Sequence, residues 1–271
     1  MSDYRLIASD LDGTLTNDEK KITLATKSAL QRVMQKGVSV VLSSGRPVSG
    51  VEYLAKELEL DKHHGFILSF NGGKIIDFTT KEVLYNQTLP MELNPLITDF
   101  LRKGSPNVLT YLDDGLYTEQ PDLPEIQFIS KVSRLKIKRV KDLGREIPVP
   151  TNKIMTVGEP DRMAKLEQEI REYFGDQVSV FRSEASYLEV MPPNVSKAKG
   201  LARLLDHLHL TREQLIAFGD GFNDVPMIEF AGMGVAMANA QEPVRRVADF
   251  VTRSNEEDGI AYALDRFFPK K

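Results

Sequence analysis

Four short stretches of this chain carry side chains that could do chemistry. The first is Asp10-Leu11-Asp12-Gly13-Thr14-Leu15, directly after the apolar run Leu6-Ile7-Ala8. Residues two apart in an extended chain project to the same side, so Asp10 and Asp12 can face one crevice. The C-terminal ends of strands are where open α/β sheets bind ligands. The second stretch is Leu42-Ser43-Ser44-Gly45-Arg46-Pro47. Hydroxyls and backbone N–H groups there, Ser43, Ser44 and Gly45 among them, could cradle a phosphate. A Ser before a helix also serves simply as an N-cap. The third is Asn194-Val195-Ser196-Lys197-Ala198-Lys199-Gly200, opening a helix. A Lys at a helix N-terminus opposes the macrodipole, which suggests a nearby anion; a solvated surface Lys is the plain alternative. The fourth is Gly219-Asp220-Gly221-Phe222-Asn223-Asp224. Two carboxylates and an amide at such a turn suit a hard cation and a phosphate oxygen.

These stretches need elements to hold them. Leu6–Ala8, Val38–Leu42, Phe66–Phe70 and Leu215–Phe218 read as buried strands, with Met233–Ala236 as one more. Helical stripes fall at Leu30, Val33 and Met34, stopped by Gly37, and at Leu201, Leu204, Leu205 and Leu208. A helix through Leu54 and Leu58 starts with Pro47 at N1. Thr211 and Gln214 make a capping box, and a last helix runs from about Glu256 to Phe268. Fully apolar strands alternating with helices imply an α/β fold, a doubly wound parallel sheet covered on both faces.

The middle has a different texture. Strands at Val108–Leu112, Ile154–Val157, Val178–Phe181 and Tyr187–Val190 alternate with helices around Leu93–Leu101 and Met163–Tyr173. Asp113-Asp114-Gly115 and Pro148-Val149-Pro150 read as loops. This is an α+β module inserted into the doubly wound core, with Leu109, Ile154, Met163, Leu166 and Ile170 as its own core. The expected division is 1–85 and 191–271 for the core domain and 86–190 for the insert.

Composition narrows the chemistry. The 271 residues exceed one typical domain and fall short of three, at roughly 100–200 residues per domain. The net charge of −4 gives no general pull toward nucleic acid or anionic membrane. Cysteine is absent, which excludes disulfides, thiolate catalysis and Cys-based metal sites. With only four His, a metal would be held by oxygen, pointing to magnesium or calcium. His63-His64 and His207/His209 have no companion carboxylates at ligand spacing and read as surface or helix-end residues. No run reaches the ~18 apolar residues of a membrane span, and Met1-Ser2-Asp3-Tyr4-Arg5 does not open a signal peptide. A cytoplasmic, soluble protein is expected. The basic run Lys131, Arg134, Lys136, Lys138, Arg139 and Lys141 reads as a solvated edge of the insert, not a nucleic-acid site.

In this order and context, the four stretches resemble the four motifs of the haloacid dehalogenase-like phosphohydrolases. The resemblance covers nearly the whole chain. Asn71-Gly72-Gly73 and Ser254-Asn255-Glu256-Glu257-Asp258-Gly259 resemble the Cof-like branch, whose type IIB α/β cap sits between the second and third motifs. The resemblance implies a Rossmann-like core and a Mg²⁺-dependent phosphatase working through an aspartyl-phosphate. It implies Asp10 as nucleophile and Asp12 as general acid/base. Mg²⁺ would be held by Asp10, the Asp12 backbone carbonyl and Asp220, with Asp224 orienting the metal's waters or Lys197. Ser44, with Ser43 and Gly45, and Lys197 would hold the phosphoryl oxygens, and Asn223 would touch the phosphate. Relatives often read Lys-Gly where this chain reads Lys197-Ala198-Lys199-Gly200; helix spacing favours Lys197, with Lys199 the competitor. Asp12 is expected beside other anions, which would raise its pKa and let it donate a proton.

The expected substrate is a small phosphorylated metabolite, sugar phosphates foremost, chosen by the inserted module. A phosphomutase and a non-catalytic phospho-ligand sensor are the alternatives; the joint presence of Asp10, Asp12, Lys197 and Asp220 argues against the sensor. Oligomeric state is not legible.

Overall fold

The computed structural model describes residues 4–147 and 149–269. Met1-Ser2-Asp3 of the opening segment and Pro148 of the proline-bearing loop lie outside the described residues. The chain forms two compact units, one of residues 1–45, 51–85 and 196–271, the other of residues 46–50 and 86–195.

The chain opens with β1 (Leu6–Ser9), α1 (Leu24–Met34), β2 (Ser39–Ser43) and α2 (Ser49–Glu57). Next come β3 (Phe66–Ser69), β4 (Lys74–Asp77) and β5 (Val83–Asn86). Helix α2 begins two residues after Pro47, so the expected proline N1 position is corrected to a turn before the helix. The second unit follows with α3 (Asn94–Arg102), β6 (Asn107–Leu112), β7 (Gly115–Thr118) and α4 (Pro124–Ser133). It continues through β8 (Ile137–Arg139), α5 (Leu143–Glu146), β9 (Ile154–Val157) and α6 (Pro160–Phe174), and ends in β10 (Ser179–Glu184) and β11 (Tyr187–Met191). The chain then returns with α7 (Lys197–Leu208), β12 (Leu215–Gly219), α8 (Val225–Phe230) and β13 (Met233–Ala236). It closes with α9 (Glu242–Val247), β14 (Phe250–Val251) and α10 (Gly259–Phe267).

The sheet of the first unit has the order β14-β13-β12-β1-β2-β3-β4-β5. From β14 to β3 every pairing is parallel. Strands β1, β3 and β12 are buried along their whole length, which requires cover on both faces. The α/β expectation therefore holds. The sheet is not parallel throughout, however. Strand β4 pairs antiparallel with β3, because the four residues between them are too few for a crossover. The final helix also differs from the expected continuous run. A 3₁₀ turn at Asn255–Glu257 is separated from α10 by Asp258, whose φ is +56°. Thr211 and Gln214 do form a capping box, on a 3₁₀ turn before β12.

The second unit is a sheet of order β10-β11-β9-β6-β7-β8 with helices on it. Strand β6 turns back into β7 through Asp113-Asp114, so the expected loop at Gly115 is the start of a hairpin strand. The basic run covers the end of α4 and the edge strand β8. Lysines on an edge strand discourage pairing with another chain. Ile154, Met163, Leu166 and Ile170 join the unit's core cluster with Val108, Leu188 and Val190, as the spacing on α6 requires. Leu109 is buried as well, outside that cluster.

Side chains alternate along β11, so Glu189 points away from the face that carries Leu188 and Val190. Its Oε1 accepts from Lys153 Nζ and Ser183 Oγ, each at 3.0 Å, and both charged side chains are at most 5% exposed. Removing one partner of such a pair strands the other charge. Glu189→Ala should therefore destabilise the protein by about 3–5 kcal/mol, while Lys153→Met with Glu189→Leu should fold as stably as wild type or better. Urea denaturation of both variants checks this; equal stability of the two would contradict it.

Candidate active site

Three parallel strands end at one edge of the first sheet. Ser9 of β1 pairs with Phe218 of β12 on one side and Leu42 of β2 on the other. The Asp10 N–H extends the ladder by donating to Phe218 O at 3.0 Å. This register brings Asp10, Asp220 and Ser43 together although 210 residues separate the first two. Strand β3 ends beside β2, with Ser43 paired to Leu68, and adds Asn71 to the same edge.

Lys197 is the first residue of α7 and is fully buried. Its Nζ donates to Asp10 Oδ1, to Asp224 Oδ1 at 2.6 Å and to Ser43 O at 3.0 Å. The anion expected near this helix start is thus a pair of carboxylates. Burial alone would lower the Lys197 pKa, but Asp10 and Asp224 more than reverse this, and the ammonium is held charged. Lys199, the competing lysine, is exposed, and its backbone N–H is capped by Ser196 Oγ.

Asp224 is equally buried. Its Oδ2 accepts from the N–H groups of Asp220 (3.0 Å) and Gly221 (2.9 Å), which folds the Gly219–Asp224 turn around it. Asp220 Oδ1 accepts from Thr14 Oγ1 at 2.6 Å. A Cβ on Gly13 would stand 2.4 Å from Asp220 Oδ2, and Gly13 has φ +79°. Only glycine lets the first turn pass this close to the carboxylate. Asp10 lies well above the usual carboxylate range, through burial first and then Asp224, against the pull of Lys197. Asp220 is pushed up to about 6, chiefly by burial.

Oxygens of Asp10, Asp220 and Asp224 lie within 4.8 Å of one another. Buried carboxylates that repel each other, with one ammonium among them, leave a net negative site of hard donors. That donor set fits Mg²⁺ and includes no imidazole. The Asp12 side chain stands outside the cluster. It is close enough to help raise Asp220, but its own Oδ1 pairs with Lys20 Nζ at 2.9 Å. Asp12 thus has an anion near it, as expected, and a cation in contact as well.

The residues expected to cradle a phosphate are tightly enclosed. Ser43 and Ser44 are buried, and Ser43 Oγ has no hydrogen-bond partner. Ser44 N donates to Leu68 O at 2.8 Å, and Asn71 N donates to Ser44 O at 2.9 Å. Asn223 Nδ2 donates to Asn71 Oδ1 at 3.1 Å. Asn71 is buried, and its own Nδ2 has no partner. A buried polar group left unpaired costs about 1–3 kcal/mol. Phe70, Asn71 and Gly72 all adopt positive φ, at 51°, 52° and 95°. A Cβ on Gly72 would meet Ser196 O at 2.4 Å, so this turn packs directly on the start of α7.

Behind the first turn lies a frame the motif reading did not assign. Asn239 Nδ2 donates to Gly13 O, and its Oδ1 accepts from Asn255 N. Asn255 Nδ2 donates to Thr16 O, and Asp18 N donates to Glu256 Oε1. Thr23 Oγ1, the cap of α1, donates to Asp258 Oδ1. The late stretch Ser254–Gly259 therefore holds the loop that carries Asp12. Thr14 lies in the first motif but was given no role there, and Lys20 and Asn239 had no distinguishing sequence signal.

Residues 7–264 match the model of the haloacid dehalogenase-like hydrolases. The chain belongs to that family. It is 32% identical over 273 residues to a Bacillus subtilis protein named 5-amino-6-(5-phospho-D-ribitylamino)uracil phosphatase YitU, with 97% of each chain covered. A second Bacillus subtilis phosphatase of that name, YcsE, is 31% identical over 262 residues, covering 97% of this chain and 95% of its own. Among solved structures, a haloacid dehalogenase-like hydrolase from Bacteroides thetaiotaomicron matches with TM-score 0.92 and 42% identity, covering 98% of this chain and all of its own. The structure of a protein from Thermotoga maritima matches with TM-score 0.85 and 31% identity, over 97% of both chains. Family and relatives together support a phosphatase, the enzyme class expected from the motifs. Among the described residues no helix is long and apolar enough to cross a membrane.

The raised Asp220 makes a signed pH prediction. The folded state binds the proton more tightly than the unfolded one, whose carboxyl has its ordinary value of 3.8. The associated stability is present below pH 3.8 and is lost as pH rises through about 6. In chelator, Asp220→Asn should thus match wild type near pH 4 and gain on it as pH rises to 7. Mg²⁺ should raise the melting temperature of wild type at pH 7 and do so far less for the variant. Scanning calorimetry checks both; a variant that loses ground between pH 4 and 7 would refute the charge balance described.

Proposed function

We propose that the protein is a Mg²⁺-dependent phosphatase of small phosphorylated metabolites, sugar phosphates foremost, acting through an aspartyl-phosphate on Asp10. The observation that carries this is the buried Lys197 ammonium shared between Asp10 and Asp224 beside the Ser43–Ser44 turn. A phosphate monoester dianion repels an attacking carboxylate, so positive charge must stand between them. Lys197 supplies one such charge. Asp10, Asp220 and the Asp12 backbone carbonyl would hold Mg²⁺, which would supply a second positive charge against that repulsion.

Asp10 attacks phosphorus while Lys197, Ser43, Ser44, the Gly45 backbone and Asn223 hold the phosphoryl oxygens. The unpartnered Ser43 hydroxyl supports this, since it is a buried donor with nothing in the protein to receive its proton. The leaving alkoxide takes a proton from Asp12, and the Asp12 carboxylate then activates the water that cleaves the acyl-phosphate. Lys20 against Asp12 gives that carboxylate an alternative partner when it is charged. Asp224 positions Lys197 and the turn that carries Asp220. Two relatives named for a phosphoribitylamino compound accord with a polyhydroxy leaving group.

The test is a panel of phosphorylated metabolites with Mg²⁺, using Asp10→Asn as the blank. Asp10→Asn should lose at least ~10³-fold in kcat, on the order seen when a covalent nucleophile is removed. Asp12→Asn should slow both formation and breakdown of the aspartyl-phosphate in single-turnover kinetics. Two successive in-line displacements retain configuration at a chiral phosphoryl group. Inversion, or near-native turnover by Asp10→Asn, would refute the covalent route.

A further inference from the structure

We propose that Asn71 is a further phosphoryl-binding residue, its side-chain Nδ2 donating to an oxygen of the bound phosphate ester. This rests on the phosphatase reading above and adds a residue that the four motifs do not contain. Asn71 is only 3% exposed, and its Nδ2 has no hydrogen-bond partner. Its Oδ1 is occupied by Asn223 Nδ2. That bond sets the amide's orientation and leaves the N–H pair as the unused end.

The location suits the role. A Cβ on Gly45 would lie 3.2 Å from both the Nδ2 and the Oδ1 of Asn71, so the amide abuts the candidate phosphate cradle. The backbone binds Asn71 to the same place, through Asn71 N to Ser44 O at 2.9 Å. On its other side the turn is pressed onto the start of the helix that carries Lys197, where Gly72 meets Ser196 O. One short turn thus touches the Ser44 segment, the Lys197 segment and Asn223.

The backbone is held unfavourably to achieve this. Phe70 and Asn71 are both non-glycine residues in the left-handed region, side by side. Such strain persists where the surrounding structure over-determines it, and it concentrates at sites that must present a group to a ligand. The chemistry of the ligand follows from the free end. The free end is an N–H donor, and a phosphate dianion is an acceptor that complements it. A phosphoryl oxygen completes the set; a cation would not.

Substitution separates contact from scaffolding. Asn71→Asp keeps an acceptor for Asn223 and the same volume, and replaces the donor by a charged oxygen. Asn71→Ala removes both ends, and Asn71→Gly also relieves the positive φ, which safeguards folding. Direct contact predicts that all three lower kcat/KM for p-nitrophenyl phosphate by roughly 10–100-fold, the range for a lost charge-assisted hydrogen bond. Asn71→Asp should suffer at least as much as Asn71→Ala. The inhibition constant of inorganic phosphate should rise in parallel. A scaffolding role predicts the reverse order, with Asn71→Asp the mildest. The proposal is overturned if Asn71→Asp or Asn71→Gly stays within about threefold of wild type in both readouts, or if Asn71→Asp is milder than Asn71→Ala. If wild type neither hydrolyses phosphate esters with Mg²⁺ nor binds inorganic phosphate, the phosphatase reading itself falls, and this inference with it.

Discussion

The arrangement turns on one buried ammonium. Lys197 is fully enclosed, and a buried charge is tolerated only where opposite charge and hydrogen bonds surround it. Asp10, Asp224 and the Ser43 carbonyl supply those partners from three separate elements. Each of those elements is therefore obliged to end within reach of one nitrogen. Had β1, β2 or the Gly219–Asp224 turn shifted register, the ammonium would be stranded. The lysine thus couples the sheet edge, the helix start and the last turn into a single electrostatic unit.

The carboxylates make the opposite demand. Asp10, Asp220 and Asp224 crowd together, and burial with mutual repulsion holds Asp10 and Asp220 above their ordinary range. One lysine leaves that crowding only partly relieved. On the proposed reading stability and function are here in tension, since the charges that would serve a cation and a phosphate are by themselves an unfavourable concentration of like charge. The same holds for the donors. Ser43 Oγ and Asn71 Nδ2 are enclosed without protein partners, and Phe70 and Asn71 keep left-handed backbones to hold their turn in place. These particular departures from local preference meet where the strands end, and a ligand there would repay them.

Rigidity at this edge comes from two sources. The parallel strands supply the register that aligns Asp10 with Asp220 and Ser43. The loop carrying Asp12 has no strand to support it and is held by side chains from the far end of the chain. Asn239, Asn255 and Glu256 bind its backbone, and Asp258 binds the cap of α1. The left-handed Asp258 that interrupts the last helix is part of this support, since a continuous helix would carry its carboxylate elsewhere.

Much of this was legible in the residues. Apolar strand runs leading to Asp10, Ser43 and Gly219 identified the sheet and the strand ends at which chemistry could occur, because a strand buried on both faces is mostly apolar along its length. The helical spacing from Leu201 selected Lys197 over Lys199. Strand direction at β4 was not legible, since it depends on the four-residue turn at Phe70–Gly73 rather than on strand composition. Nor were the short strands β7 and β8, which lie among charged residues, β8 at the sheet edge. Local pattern alone determined which side chains could react and which segments would carry them, for that information lies within a few residues of chain. Only the tertiary structure decided that Lys20 stands on Asp12, that Thr14 serves Asp220 and that Asn71 meets Asn223, because each of those contacts depends on where separate segments end in space.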